Sequence, residues 1–527
     1  MTHSRTFIKG AILLSIAGII TKILSMLFRI PLHYLTGDEG FGYYQTFYSV
    51  YMLLVAIALI GMPQAVSKVV SESTARKNEE DAYAYFKAAL YSLTTIGIIV
   101  TLCLIFGAKL LINLSGWSQN NIYVIYGLSI SPLFICIAGS FKGYYQGKQM
   151  MGPTSLTQII EGFTKVVLGF ALTILLKNLG YGPPVAVGGA AFGTTLGYIL
   201  SCIFLIYIWK KRVRFKKNHK KLKKSYIVKL SKQLLKIAIP ITIGASAYSV
   251  MNFIDSFTIF NRLKVMGIIA EEATLINGQI GKTFTIINVP LTLSVALMIS
   301  TVPAVAWAKE KKNKKNLLES INTSIRLSLM LALPSAIGLG ILANPLLKLI
   351  YPRSSSGFEY LQLYSICLVF LIIGQALASV LQGLGYYMIP IWTLMISSIT
   401  KIIVNYFLIA SPLLGKGALY GSIAFYAIFT VLNYIILVRI IKNKIISIKG
   451  LLKPLTSSVL MGIIVFVIFN YSTPIIGSKL STVLSVCFGG IFYVLFLFLT
   501  KSITEDDLKI LPRHNKIIKF LKMLRLL

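Results

Sequence analysis

Five basic side chains occupy places that a lipid bilayer disfavours. Lys22 and Arg29 lie in the apolar run 7–30, Lys165 in 154–177, Lys282 in 277–307 and Lys401 in 388–411. On insertion scales each costs about 2.5–3.5 kcal/mol at the centre of a spanning helix, unless it meets water or a partner. The same kind of run holds two acids, Glu161 and Asp255. Bases therefore outnumber acids, and the interior they share carries net positive charge. Such an excess points to a water-filled cationic cavity, whose expected cargo is an anion.

Spacing refines this picture. Lys22 and Arg29 are seven residues apart, so they share one helix face. At a rise of about 1.5 Å per residue, Lys22 lies roughly 22 Å along from Phe7, and Arg29 lies near the far end of the run. Glu161 and Lys165 are four apart, the spacing of an internal ion pair, and Gln158 shares their face. Ser398, Lys401 and Asn405 form a second polar stripe; Asn252, Asp255 and Ser256 form a third. Blander roles stand beside these. Arg29 and Lys282 suit snorkelling to the outer interface, and Lys22 suits a pair with Asp255 or with a carbonyl. The cavity candidates are thus Lys22, Arg29, Lys282, Lys165 and Lys401. The supporting or ion-coupling candidates are Glu161, Asp255, Asn252, Gln158 and Asn405.

The elements that must position these groups are all helical. Hydrophobic residues make up 56% of the 527 and charged residues 13%, with a mean hydropathy of +0.77. The apolar runs are continuous rather than alternating, which predicts an all-α polytopic membrane protein and not a barrel. About fourteen spans are expected, among them 7–30, 41–62, 84–113, 121–145, 154–177, 185–209, 233–260, 277–307 and 388–411. The first continues into a polytopic chain and reads as a span, not a removed signal. Alternate loops carry the lysines and arginines, which puts both termini in the cytoplasm.

An internal repeat divides the spans. Gln146-Gly147 and Gln382-Gly383 close corresponding runs, and Thr164-Lys165 and Thr400-Lys401 follow 19 residues later in each (165 − 146; 401 − 382). Pro63 and Pro303 look like a third matched pair, at an offset of 240 (303 − 63). The expected organisation is a six-helix half at 1–209, a linker at 210–232 and a second half at 233–445. Two added spans at 446–501 and a basic tail at 502–527 follow. An even number of spans per half makes the repeat parallel, with a cavity expected between the halves. Pro132, Pro240, Pro290 and Pro334 fall inside runs and should kink them.

The stretch from Trp209 to Lys236 has thirteen basic residues and no acid. It should stay cytoplasmic and lie along anionic inner-leaflet lipid, at roughly 1 kcal/mol per residue near the surface. This placement in loops also explains the net charge of +36 without nucleic acid. Five cysteines form no CxxC pair, so neither a disulfide framework nor a metal site is read. The histidines (His3, His33, His219, His514) read as terminal or in loops, and no nucleophile elbow or Walker loop occurs. The chain therefore reads as a transporter rather than an enzyme. It is expected to be a monomer without a cofactor, driven by Na+, H+ or the membrane potential.

Four segments carry a resemblance: FIKGAILLSIAGIITKILSMLFRIPL (Phe7–Leu32), GDEGFGYYQTFYSVY (Gly37–Tyr51), GMPQAVSKVVSE (Gly61–Glu72) and GYYQGKQMMGPTSLTQIIEGFTKVV (Gly143–Val167). They resemble the stage V sporulation protein B family of polysaccharide export proteins. That family is similar to MurJ-like lipid II flippases of the multidrug/oligosaccharidyl-lipid/polysaccharide exporter superfamily. The resemblance implies flipping of an undecaprenyl-pyrophosphate-linked saccharide between leaflets of the bacterial cytoplasmic membrane, for cell-wall, spore-cortex or other polysaccharide synthesis. It also implies that Lys22 and Arg29, in TKILSMLFR, and Lys282, in GQIGKTF, meet the pyrophosphate. The family's basic residue in the second span has no counterpart, because 41–62 contains no Lys or Arg. The two extra spans would form a groove for the lipid tail. The alternatives are a cation-coupled multidrug antiporter, or an exporter of another lipid-linked polysaccharide unit.

Overall fold

The computed structural model describes residues 2–212, 223–245, 247–310, 314–443, 445, 448–500 and 502. Residues 213–222 of the basic linker and all of the C-terminal tail but residue 502 lie outside the described residues. Among those described, the ordered elements are all helical. A chain that is apolar for this long must satisfy its backbone groups internally, and helices do so within a single segment.

The chain forms two compact units, 1–281 and 282–527. The first contains α1 (Thr2–Leu54), α2 (Met62–Ala75), α3 (Glu79–Ser115), α4 (Ile122–Ser129), α5 (Ser131–Gly147), α6 (Met151–Asn178), α7 (Pro183–Arg212), α8 (Lys224–Ala245) and α9 (Ala247–Val265). Helix α10 (Ala270–Glu310) runs from the first unit into the second. The second holds α11 (Lys314–Ile341), α12 (Ala343–Ile350), α13 (Phe358–Gly383), α14 (Met388–Ile409), α15 (Gly415–Ile441) and α16 (Ile448–Leu499).

Among the described residues, ten helical stretches are long and apolar enough to cross a membrane. Two of them are pairs of limbs. Helix α1 breaks at Gly37 (φ 72°, ψ −174°) and α16 at Gly477 (φ 78°, ψ 158°). Both conformations lie in the region that glycine alone adopts readily. Expected spans 233–260 and 277–307 correspond to α8 with α9 and to α10. Pro132 acts as expected: the run 121–145 breaks at Ile130, and Pro132 sits in the first turn of α5. Pro334 lies inside α11.

The ends of the helices follow local chemistry. The side chain of Asn78 accepts from the Asp81 amide at 3.0 Å and caps α3, whose first turn carries Glu79, Glu80 and Asp81. Negative charge at a helix N-terminus offsets its dipole. Gly116, at φ 68°, ends the same helix.

The repeat is visible in packing. A Cβ on Gly147 would fall 2.7 Å from Val70 Cβ and 2.9 Å from the Ser67 carbonyl oxygen. A Cβ on Gly383 would fall 2.9 Å from Val305 Cβ and 2.9 Å from the Val302 carbonyl oxygen. The two glycines thus admit the same i, i+3 pair of a crossing helix. The glycines are offset by 236 (383 − 147), and their partners by 235 (305 − 70). In that register Pro303 matches Lys68, so Pro63 and Pro303 are not equivalent positions, contrary to the sequence reading.

In the second unit, α16 packs on α11 and α12 through Leu342, Met461 and Val465. Its two limbs are joined by Ser457, which hydrogen-bonds Thr500 at 2.9 Å. In the first, α8 turns Leu230, Leu234 and Ala238 inward, while Lys229, Lys232 and Lys236 stay exposed.

Candidate functional site: a cation cluster without a carboxylate

Both limbs of α1 and one face of α6 build the site. The first limb contributes Phe28 and Arg29. The second presents Tyr44, Tyr48 and Tyr51, spaced four and three apart on one face. Helix α6 packs against α1 and brings Lys165 to these rings. Lys165 Nζ donates to Tyr44 Oη at 2.9 Å. It also lies 4.4 Å from the Phe28 ring centroid, 5.0 Å from that of Tyr48 and 5.5 Å from that of Tyr44. Arg29 Cζ lies 5.7 Å from the Tyr48 centroid. The Tyr44 and Tyr48 rings are themselves stacked at 5.0 Å. Behind them Tyr51 Oη hydrogen-bonds Ser131 Oγ at 2.6 Å.

Arg29 interacts electrostatically with both Lys22 and Lys165. Lys22, two turns before Arg29, is exposed and makes no hydrogen bond or ion pair among the described residues. Arg29 Nη1 is buried without a hydrogen-bond partner. Arg29 and Lys165 are therefore balanced by ring faces. A cation–π contact contributes about 0.5–2 kcal/mol, whereas a hydrogen bond to a charged group contributes about 1.5–3 kcal/mol.

The expected Glu161–Lys165 pair does not form. Glu161 Oε1 instead accepts from Lys142 Nζ at 2.6 Å and from Ser201 Oγ at 2.6 Å, which ties α6 to α5 and α7. A pair four residues apart on one helix gains only about 0.2–0.5 kcal/mol, and an interhelical partner with a second hydrogen bond outweighs it. Lys142, near the end of α5, thus belongs to a part-buried interhelical pair and is not one of the loop charges. Gln158 lies against the first limb of α1, its backbone oxygen accepting from Thr21 Oγ1 at 3.3 Å, and its side-chain oxygen is buried without a hydrogen-bond partner.

The remaining candidates lie elsewhere. Asn252, Asp255 and Ser256 are buried on α9, where the Ser256 carbonyl accepts from Trp117 Nε1 at 2.7 Å. Lys282 and Lys401 belong to the second unit, and each is 0% exposed. Lys282 is not a snorkelling side chain: its Nζ donates to the Ser354 carbonyl at 3.0 Å and to Ser354 Oγ at 3.2 Å, beside the Tyr351 ring. Lys401 Nζ donates to Ser422 Oγ on α15 at 2.6 Å, and Asn405 is buried one turn on. The structure brings together Lys22, Arg29 and Lys165 of the five cavity candidates.

Sequence reasoning missed the rings, although the 44, 48, 51 spacing was available as a signal. It also misplaced His33, which is helical and buried, with Nε2 2.6 Å from Asp38 Oδ1 across the Gly37 break. Among the described residues no group of three His, Cys, Asp or Glu side chains is arranged to hold a metal.

Known proteins bear on this arrangement. The pattern of the polysaccharide biosynthesis protein family matches residues 7–271, which is half of the chain. The chain belongs to that family. The MatE pattern matches residues 279–407. The chain is 26% identical to the Bacillus subtilis membrane protein YabM, over 98% of this chain and 96% of that one. It is 26% identical to the lipid II flippase MurJ of the same organism, over 76% of this chain and 77% of that one. To the B. subtilis stage V sporulation protein B it is 23% identical, over 98% and 99%. Among solved structures, an inward closed MurJ superposes with a TM-score of 0.69 at 18% identity, covering 93% of this chain and 98% of that one. An inward-facing MATE transporter gives 0.68 at 16% identity, covering 80% and 94%. The fold is that of the multidrug/oligosaccharidyl-lipid/polysaccharide exporter superfamily, and the protein is a multi-pass transporter of that superfamily rather than an enzyme.

Proposed function

We propose that the protein is a flippase for an undecaprenyl-pyrophosphate-linked saccharide, similar to lipid II. It would carry the head group from the inner to the outer leaflet of the bacterial cytoplasmic membrane by alternating access. The observation that carries this reading is the cluster of Lys22, Arg29 and Lys165, the last two set against rings. A diphosphate displaces ring contacts and gains charge-assisted hydrogen bonds from Arg29 and the two lysines. The polyprenyl tail stays in lipid, so only the polar head needs a wet path.

Both termini would be cytoplasmic. The block Lys210–Lys236, through exposed Lys229, Lys232 and Lys236, would then rest on anionic inner-leaflet lipid. A cation-coupled antiporter on this fold needs a buried carboxylate for its cargo. Glu161 is already engaged by Lys142 and Ser201, which favours the anionic cargo. The membrane potential or a coupled Na+ or H+ supplies the drive.

The test is flipping of labelled lipid II in proteoliposomes, with wild type beside the Lys22→Ala/Arg29→Ala double variant. Wild-type transport that falls to background in the well-folded variant supports the reading. An inactive, correctly inserted wild type overturns lipid II as cargo, and an active double variant overturns the site.

A further inference from the structure

One ring serves two cations. Arg29 Cζ and Lys165 Nζ both lie within 5.7 Å of the Tyr48 centroid. The Tyr48 hydroxyl makes no hydrogen bond among the described residues, so the ring face, and not the phenol, is what the two cations use. Lys165 has a second anchor in Tyr44 Oη at 2.9 Å. Arg29 has an unpaired buried nitrogen.

The geometry points to Tyr48 as a positioning residue that spaces Arg29 and Lys165 into a two-point clamp, selective for a diphosphate over a monophosphate. The inference rests on the lipid-linked diphosphate reading and deepens it. A carboxylate between two such cations would neutralise them and compete with cargo. A ring face offsets their mutual repulsion without supplying an anion, which leaves both side chains available to a ligand. A single phosphate satisfies one cation and leaves the other on the ring. A diphosphate spans both cations while the ring holds them at one spacing, so its advantage comes from the second cation being held nearby.

The experiment uses Tyr48→Phe, which keeps the ring, and Tyr48→Leu, which removes it. Both are reconstituted as full-length protein and assayed with undecaprenyl-diphosphate- and undecaprenyl-monophosphate-linked sugars. Tyr48→Leu is expected to raise the half-saturating concentration of the diphosphate lipid about tenfold, because Arg29 and Lys165 are no longer held at one spacing before the ligand arrives. Its maximal rate should change little, and its preference over the monophosphate lipid should shrink by a similar factor. Tyr48→Phe should stay within about threefold of wild type. Equal effects of Phe and Leu, or a fall in maximal rate with half-saturation unchanged, would overturn the assignment.

Calorimetric titration of the purified protein with inorganic pyrophosphate and with phosphate separates this inference from the cargo reading. If wild type flips neither lipid yet binds pyrophosphate more tightly than phosphate, and Tyr48→Leu removes that difference, the clamp stands and the cargo reading falls. If wild type binds the two equally, the clamp falls.

Discussion

Lys165 and Lys401 follow the same dipeptide at the same place in each repeat, yet they stand in opposite surroundings. Lys165 is half-buried, set on three rings and close to Arg29. Lys401 is enclosed, with Ser422 Oγ as a hydrogen-bond acceptor. The helices that carry them are alike; what packs over them is not. α6 meets both α7 and the aromatic face of α1, while α14 is clasped mainly by α15. A repeated lysine is therefore set against rings beside a second cation in one half and enclosed against a hydroxyl in the other, and the overlying helix decides which.

Mutations can break or sharpen that contrast. The largest effect is expected from Lys22→Ala/Arg29→Ala. Two charge-assisted contacts of about 1.5–3 kcal/mol each amount to a loss of about a hundredfold to ten-thousandfold in lipid flipping, with normal insertion and melting temperature. Next comes Glu161→Gln, which leaves Lys142 without its counter-charge and should destabilise the first unit by about 3–5 kcal/mol. Thermal melting in detergent reads this, and a melting temperature that falls with Lys165→Met instead would restore the Glu161–Lys165 pair.

The repeat-related lysines then give a crossed result. Lys165→Met should reduce flipping about tenfold to a hundredfold, the equivalent of one charge-assisted bond, while leaving the melting temperature in place. Lys401→Met should lower stability by about 1.5–3 kcal/mol with half-saturation unchanged; matching phenotypes in the two halves would refute the contrast. The smallest effect belongs to the exposed Lys416–Glu359 pair. Its loss in Lys416→Ala should cost less than about 1 kcal/mol, and a larger shift in melting temperature would mean that the pair acts in a network.

The sequence carried the helical fold because hydropathy runs of this length admit few alternatives, and it carried the repeat through Gln-Gly and Thr-Lys. It misaligned Pro63 with Pro303 because a shared residue type does not reveal which positions cross; the glycine contacts with Val70 and Val305 do. Lys22 and Arg29 were legible as charges in the wrong solvent. Lys142 was not, because a lysine near a helix end reads the same whether it faces water or a buried carboxylate. The Tyr44–Tyr48 rings escaped notice because aromatic residues in apolar helices are ordinary, and only their meeting with Lys165 from another helix gives them a role.

The break at Gly37 gives the cluster a mechanical property. Phe28 and Arg29 lie on one limb of α1, and Tyr44 and Tyr48 on the other. Arg29 is eight residues from the joint, a lever arm of about 12 Å at helical rise. A pivot of about 10° there would move its guanidinium by about 2 Å, a large fraction of its separation from the Tyr48 ring. The grip on the two charges is thus geared to the angle of a single glycine.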